Sequence, residues 1–236
     1  MAALGADFFA KLVGEAIQER GRAMVALSGG STPEKMYRQL GGRADITWTR
    51  TKLFLSDERF VPLVDGSSNF ALVERTLLSG GMVPTDNLLP VPTNACTPER
   101  AADFYESLLG QEFGAEEVVR PPQFDLILLG LGEDGHTASL FPRAAALKVT
   151  DRWVVATPPG TLPPAVDRIT FTYPVLNAAR QVLFVVTGAA KAGILRTVLE
   201  DAPTCEERPA ACVKPSDGEV TWLVDEAAAS LLRQPK

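Results

Sequence analysis

The sequence predicts a three-layer α/β fold, with a mostly parallel sheet and helices on both faces. Two observations carry this. Short apolar runs of strand length alternate along the chain with segments whose apolar residues recur at helical spacing. Several of the runs also stop in glycine or in a polar cluster, as strands do when they feed loops at one edge of a parallel sheet. At 236 residues and 46% hydrophobic composition, the chain is long enough to cover such a sheet. No repeat, low-complexity tract or linker divides it, so one domain over residues 1–236 is expected.

The elements follow in order. Ala6 to Arg20 places Phe8, Phe9, Leu12, Val13, Ala16 and Ile17 on one helical face, and Gly21 stops it. Ala23 to Leu27 is a strand. Ser28-Gly29-Gly30-Ser31-Thr32-Pro33 follows, with Thr32 expected as N-cap and Pro33 as the first residue of a helix to Leu40. Strand, glycine loop and helix start together form an anion site, because unpaired backbone N–H groups face the loop. No Gly-Lys-Ser/Thr follows, so it is not a nucleotide P-loop. Thr51 to Leu55 is a strand followed by the charged cluster Asp57-Glu58-Arg59, which is solvated loop or active site and taken alone reads as loop, and Ser68-Asn69 caps a helix to about Leu78. Leu88 to Val91 reads as a short strand, and Thr97-Pro98-Glu99 starts a helix to about Phe113. Gly114 to Gln123 reads as a surface loop.

Phe124 to Pro142 is the most informative stretch. The apolar run Leu126 to Leu129 is a buried strand, Gly130, Gly132 and Gly135 punctuate a tight turn, and the turn delivers His136, the only histidine. Imidazole transfers protons in both directions near neutral pH, and ligands of open α/β sheets bind at the carboxyl ends of the strands. Gly130-x-Gly132-x-x-Gly135 also fits a dinucleotide fingerprint. Pro142 leaves room for only a short helix, however, and the next strand candidate, Trp153 to Thr157, ends without a carboxylate; the nicotinamide reading fails. Beyond it, Arg168 to Thr172 reads as a strand, Tyr173 to about Arg180 as a helix, and Val182 to Thr187 as a strand. Gly188 to Lys191 opens a helix to Leu199, Asp201 to Gly218 is loop-rich, and Val220 to Val224 is the last strand, with Asp225 capping the last helix.

Composition excludes several function classes. Net charge is −6 and there is no basic run, so nucleic acid is not an expected partner. Cys96, Cys205 and Cys212 are odd in number and lack C-x-x-C spacing, and read as free thiols of a reducing compartment. No signal peptide or membrane span is expected, and one histidine with scattered cysteines makes no zinc-type site.

Four separated motifs resemble the 6-phosphogluconolactonase family: Ser28-Gly29-Gly30-Ser31-Thr32-Pro33; Asp57-Glu58-Arg59-Phe60-Val61-Pro62 with Ser68-Asn69; Gly130-x-Gly132-x-Asp134-Gly135-His136-x-Ala138-Ser139-Leu140-Phe141-Pro142; and Gly188-x-x-Lys191. The third is the most specific. The resemblance implies a Rossmann-like fold similar to that of glucosamine-6-phosphate deaminases and, more distantly, ribose-5-phosphate isomerases. It also implies a cytoplasmic enzyme of the oxidative pentose phosphate pathway. Deaminases are the runner-up, but they carry a glutamate five residues beyond the histidine, where this chain has Phe141. A non-catalytic sugar-phosphate sensor ranks last, because His136 is retained and no helix-turn-helix or other appended module is present.

The resemblance implies hydrolysis of 6-phospho-D-glucono-1,5-lactone, a small-molecule substrate. His136 activates water, and Asp134 either orients or polarises the imidazole or only caps the glycine turn. Backbone N–H groups between Gly132 and His136, or Arg59, stabilise the oxyanion. Arg59, Arg168 and Lys191 join Gly29, Gly30, Ser31 and Thr32 around the phosphate. Asp57, Gly132 and Gly135 complete the expected site. Water suffices as nucleophile for a lactone, so neither cofactor nor metal is called for. The oligomeric state is left open.

Overall fold

The computed structural model describes residues 1–114, 120–160 and 164–233. Part of the expected loop Gly114 to Gln123 therefore lies outside the described residues. The main sheet is made of β1 (Ala23–Leu27), β2 (Thr51–Leu55), β4 (Leu126–Leu129), β7 (Gln181–Val186) and β8 (Glu219–Val224), in the order β2-β1-β4-β7-β8, all parallel. β1 and β4 are buried along their whole length, which is why they read as unbroken apolar runs. β8 is the half-exposed edge, covered in part by Trp222 stacked on Phe184 at 3.9 Å.

From β1 the chain steps outward to β2, then crosses back to β4 and continues to β7 and β8. The order therefore reverses between β1 and β4. Loops leaving two such strands diverge and open a crevice at the carboxyl edge. The glycine loop leaves β1 there and the His136 turn leaves β4.

The helices are α1 (Ala2–Arg20), α2 (Ser31–Leu40), α3 (Asn69–Thr76), α4 (Pro98–Phe113), α5 (Tyr173–Leu176), α6 (Ala192–Glu200) and α7 (Glu226–Ala229). Ser68, Thr97 and Asp225 each accept a backbone N–H at the N-terminus of α3, α4 and α7, as their residue types favour. α1 packs on α2 and α2 on α3, whereas α4 packs on a second sheet.

That second sheet is antiparallel, in the order β3-β6-β5, from β3 (Asp57–Arg59), β5 (Val154–Thr157) and β6 (Arg168–Phe171). Ser56 is the pivot between the sheets. Its N–H donates to the Leu27 carbonyl in the main sheet, and its own carbonyl accepts from Phe171 in the small one. Tyr105 of α4 locks the pivot, its hydroxyl bridging the N–H and carbonyl of Leu55 at 2.8 and 3.1 Å while its ring stacks on Phe171.

Several expectations are corrected. The strands at residues 154–157 and 168–171 belong to the small sheet, and the charged cluster after β2 is itself a strand. Thr32 is not the N-cap: α2 starts at Ser31, with Gly30 as cap in a positive-φ conformation. Leu88 makes only an isolated bridge to Leu53, so there is no strand from Leu88 to Val91. The helix at Tyr173 stops at Leu176 instead of reaching Arg180. Cys205 and Cys212 are joined in a disulfide, with their Cα atoms 5.4 Å apart, and only Cys96 is free and exposed. Spacing alone gave no sign of that pair.

Candidate active site

Nine of the twelve expected site residues line one cleft of about 280 Å³ at the switch point: Gly29, Gly30, Ser31, Thr32, Asp57, Arg59, Gly132, His136 and Lys191. Their elements explain the convergence. The glycine loop follows β1, Asp57 and Arg59 lie on β3 beyond the pivot, the His136 turn follows β4, and Lys191 follows β7. A larger cavity, about 780 Å³, lies beside the turn. It takes in Asp134, Phe141, Arg143 and Arg208 but neither His136 nor the glycine loop, so the candidate groups do not meet there.

The histidine side is built locally. His136 Nδ1 lies 2.5 Å from Asp134 Oδ1, which also accepts the His136 backbone N–H at 3.1 Å. Asp134 thus both caps the turn and orients the ring. Burial raises its carboxyl pKa, but the bonds from His136 outweigh that and the net shift is downward. An ionised carboxylate on Nδ1 selects the tautomer with the proton on Nδ1, leaving the Nε2 lone pair as the free base. Gly132 is required for a steric reason: a Cβ there would stand 2.1 Å from His136 Nδ1. Ala138, two residues on, holds φ at 47°, a left-handed conformation rare for residues with a side chain. The Phe141 ring lies 4.9 Å from the imidazole, centroid to centroid, tilted by 55°.

The opposite side is assembled from afar. Arg59 Nη1 donates to the Ser67 carbonyl at 2.8 Å and to Asn69 Oδ1 at 2.5 Å. Asn69, fully buried, donates from Nδ2 to the Asp57 carbonyl at 2.8 Å. Beneath them Glu58 takes the N–H groups of Arg59, Asn69 and Phe70 and the Ser68 hydroxyl; burial raises its pKa and those four bonds oppose the rise. Nη1 is thereby fixed, while Nε of Arg59 is buried with no hydrogen-bond partner. Asp57 bridges the two sides, accepting the Ser139 hydroxyl at 2.7 Å. Tyr37 braces the glycine loop, its hydroxyl spanning the N–H and carbonyl of Ser28. The Thr32 and Thr187 hydroxyls are 3.3 Å apart.

Three expected residues stand behind the lining. Asp134 supports His136 from outside the cleft and Gly135 lies inside the turn. Arg168 faces Arg59 across the β3–β6 ladder, 4% exposed, with Nη2 on the Pro164 carbonyl at 2.7 Å and Nε unpartnered. Burial lowers its pKa, and the neighbouring Arg59 lowers it further. Two adjacent guanidinium groups, each with a buried unpaired N–H, form a site that an anion stabilises. Sequence reasoning missed Asn69 as a site residue, although its place with Ser68 beside the Asp57–Pro62 motif was a signal for it.

Known proteins resemble this chain over most of its length. The family model described as glucosamine-6-phosphate isomerases/6-phosphogluconolactonase matches residues 1–222. A 6-phosphogluconolactonase of Synechocystis is 41% identical over 219 residues, 93% of this chain and 88% of that protein. The human 6-phosphogluconolactonase is 40% identical over 226 residues, 92% of this chain and 83% of that protein. Among solved structures, 6-phosphogluconolactonase from Trypanosoma cruzi superposes with a TM-score of 0.86 at 29% identity, covering 98% of this chain and 92% of that one. A monomeric glucosamine-6-phosphate deaminase at 22% identity and TM-score 0.78 shares the fold. The chain belongs to the family of glucosamine-6-phosphate isomerases and 6-phosphogluconolactonases.

Proposed function

We propose that this chain hydrolyses 6-phospho-D-glucono-1,5-lactone to 6-phospho-D-gluconate, the lactonase step of the oxidative pentose phosphate pathway, with His136 activating the water. The observation that carries the reading is the imidazole with Nδ1 held by Asp134 and Nε2 free, beside Phe141. A deaminase of the same fold moves a proton between carbons and expels ammonia, and uses a carboxylate where Phe141 stands. A lactonase needs one base at an already electrophilic carbonyl, and Phe141 leaves no second carboxylate beside the imidazole.

In the reaction, Nε2 takes a proton as the water oxygen bonds to the lactone carbonyl carbon. Negative charge moves to the carbonyl oxygen; within the turn the N–H groups of Gly132, Gly135 and His136 are already bonded to His136, Gly132 and Asp134. The intermediate collapses by breaking the bond to the ring oxygen, and the imidazolium returns its proton to that oxygen, which becomes a hydroxyl. The phosphate sits against Arg59, Lys191 and the N–H groups of Gly29 to Thr32, with Arg168 reinforcing the positive potential from behind. Asp57 orders the Ser139 end of the turn.

The test is a side-by-side assay of fresh phosphogluconolactone and glucosamine-6-phosphate, subtracting spontaneous lactone opening. Enzymatic lactone hydrolysis without ammonia release is expected. Ammonia release at a comparable rate overturns the assignment.

A further inference from the structure

We propose that the loop closed by the Cys205–Cys212 disulfide is a redox-labile brace that positions the catalytic turn, so that the state of this disulfide sets turnover. The loop lies directly on the turn. Ala210, 1% exposed, donates its N–H to the Gly135 carbonyl at 3.0 Å, and Arg208 Nη1 approaches the Asp134 carbonyl at 3.5 Å. The Arg208 side chain packs so closely over Gly135 that a Cβ added there would stand 2.6 Å from Arg208 Cδ, and Gly135 also sits at φ 86°, which favours glycine. The two peptides held from above are those that link Asp134, whose carboxylate orients the imidazole, to His136 itself.

The other side of the loop is anchored to a different element. The Tyr173 hydroxyl donates to the Pro209 carbonyl at 2.9 Å, and Asn177 Nδ2 to the Cys212 carbonyl at 3.2 Å. The disulfide ties the start of the loop to this anchored end. Its sequence separation is only 7 residues, so opening it releases little chain entropy overall and acts mainly on the loop itself. Some local order survives without it, since Thr204, just before the loop, and Glu207 inside it hydrogen-bond each other. A partial loss of positioning follows, rather than unfolding.

Cys205 is exposed and Cys212 half-buried, so an external thiolate reaches the Cys205 sulfur; exposed disulfides are the labile ones. A dithiol supplies the two electrons. Its first thiolate bonds to Cys205 Sγ as the Cys212 thiolate leaves. Its second thiol then closes the reductant into a cyclic disulfide and frees Cys205. One dithiol is oxidised and two cysteines are reduced.

The inference rests on the reading of His136 and Asp134 as the reacting pair, but its test includes a readout that needs no substrate. His136 is the only histidine, so one imidazole signal in a nuclear magnetic resonance spectrum reports the turn. In a Cys96→Ser background, the protein is compared oxidised and after dithiothreitol, with Cys205→Ser/Cys212→Ser as a second open form that reductant does not change. Expected are a displaced imidazole signal in both open forms, a several-fold drop in kcat, KM within about twofold, and recovery of reduced protein on reoxidation. An unmoved imidazole signal overturns the proposal, and so does an unchanged kcat. If neither form hydrolyses the lactone, the functional reading fails and the imidazole signal alone decides the brace.

Discussion

The two sides of the cleft are built by opposite means. The histidine side comes from one continuous segment, residues 130–142, in which strand, turn, carboxylate and imidazole are neighbours in sequence. The anion side is gathered from residues 29–32, 59, 69 and 191, which meet only because β1 and β4 flank a switch point and because Ser56 turns the chain out of the main sheet. Chemistry that demands sub-ångström orientation is placed within one turn of chain. Charge attraction tolerates looser placement and is assembled across the fold.

If that division is right, the largest effect falls on the local side. His136→Ala is expected to lower kcat by about 10²- to 10⁴-fold, the range for a general base, with folding nearly intact because the ring is partly exposed. Near-wild-type turnover above the spontaneous rate contradicts the role. Next comes Gly132→Ala. Gly132 is not among the positive-φ glycines, so its effect is steric: the new methyl displaces the imidazole, and a shift of about 1 Å costs on the order of 10²-fold. The measurement is kcat at saturating lactone, and a variant as fast as wild type breaks the claim that the turn is held tightly.

On the assembled side, Asn69→Ala is expected to raise KM for the phosphorylated lactone several-fold while kcat changes less. Removing the amide frees Arg59 Nη1 from one of its two acceptors and leaves the buried Asp57 carbonyl without the Asn69 donor. Stability falls by about 1–3 kcal/mol, read from denaturant unfolding. A drop in kcat with unchanged KM would place Asn69 with the histidine instead.

The smallest effect concerns acid. The folded Asp134 pKa lies below its unfolded value of about 3.9. Its stabilisation is therefore present above that value and is lost as pH falls through the folded pKa. Asp134→Asn is expected to be less stable than wild type near neutrality, with the gap in melting temperature narrowing below about pH 4. A gap that widens in acid contradicts the sign of the shift.

The same division explains what was legible in the sequence. The strands at residues 23–27, 51–55 and 126–129 were readable because burial on both faces makes them continuous apolar runs. The His136–Asp134 pair was readable because a short turn brings its members together whatever the rest of the fold does. The strand Asp57–Arg59 was not, because its charged residues are held by tertiary partners, Glu58 by the N-terminus of α3 and Asp57 by Ser139. Arg168 was expected around the phosphate beside Arg59 and Lys191. It stands instead behind Arg59, since the antiparallel pairing of β3 with β6 has no local signature. The disulfide was invisible for a related reason: Cys205 and Cys212 approach only because Tyr173, Asn177 and Gly135 shape the segment between them.

The central claim is the division of labour between a local base and an assembled phosphate reader. Its most direct test measures kcat/KM of wild type, His136→Ala and Arg59→Ala on phosphorylated and unphosphorylated gluconolactone. His136→Ala should lose activity on both substrates by a similar factor. Arg59→Ala should lose about 10- to 100-fold on the phosphorylated lactone, the worth of a charged hydrogen bond, and little on the other. Equal losses on both substrates in Arg59→Ala would contradict the account.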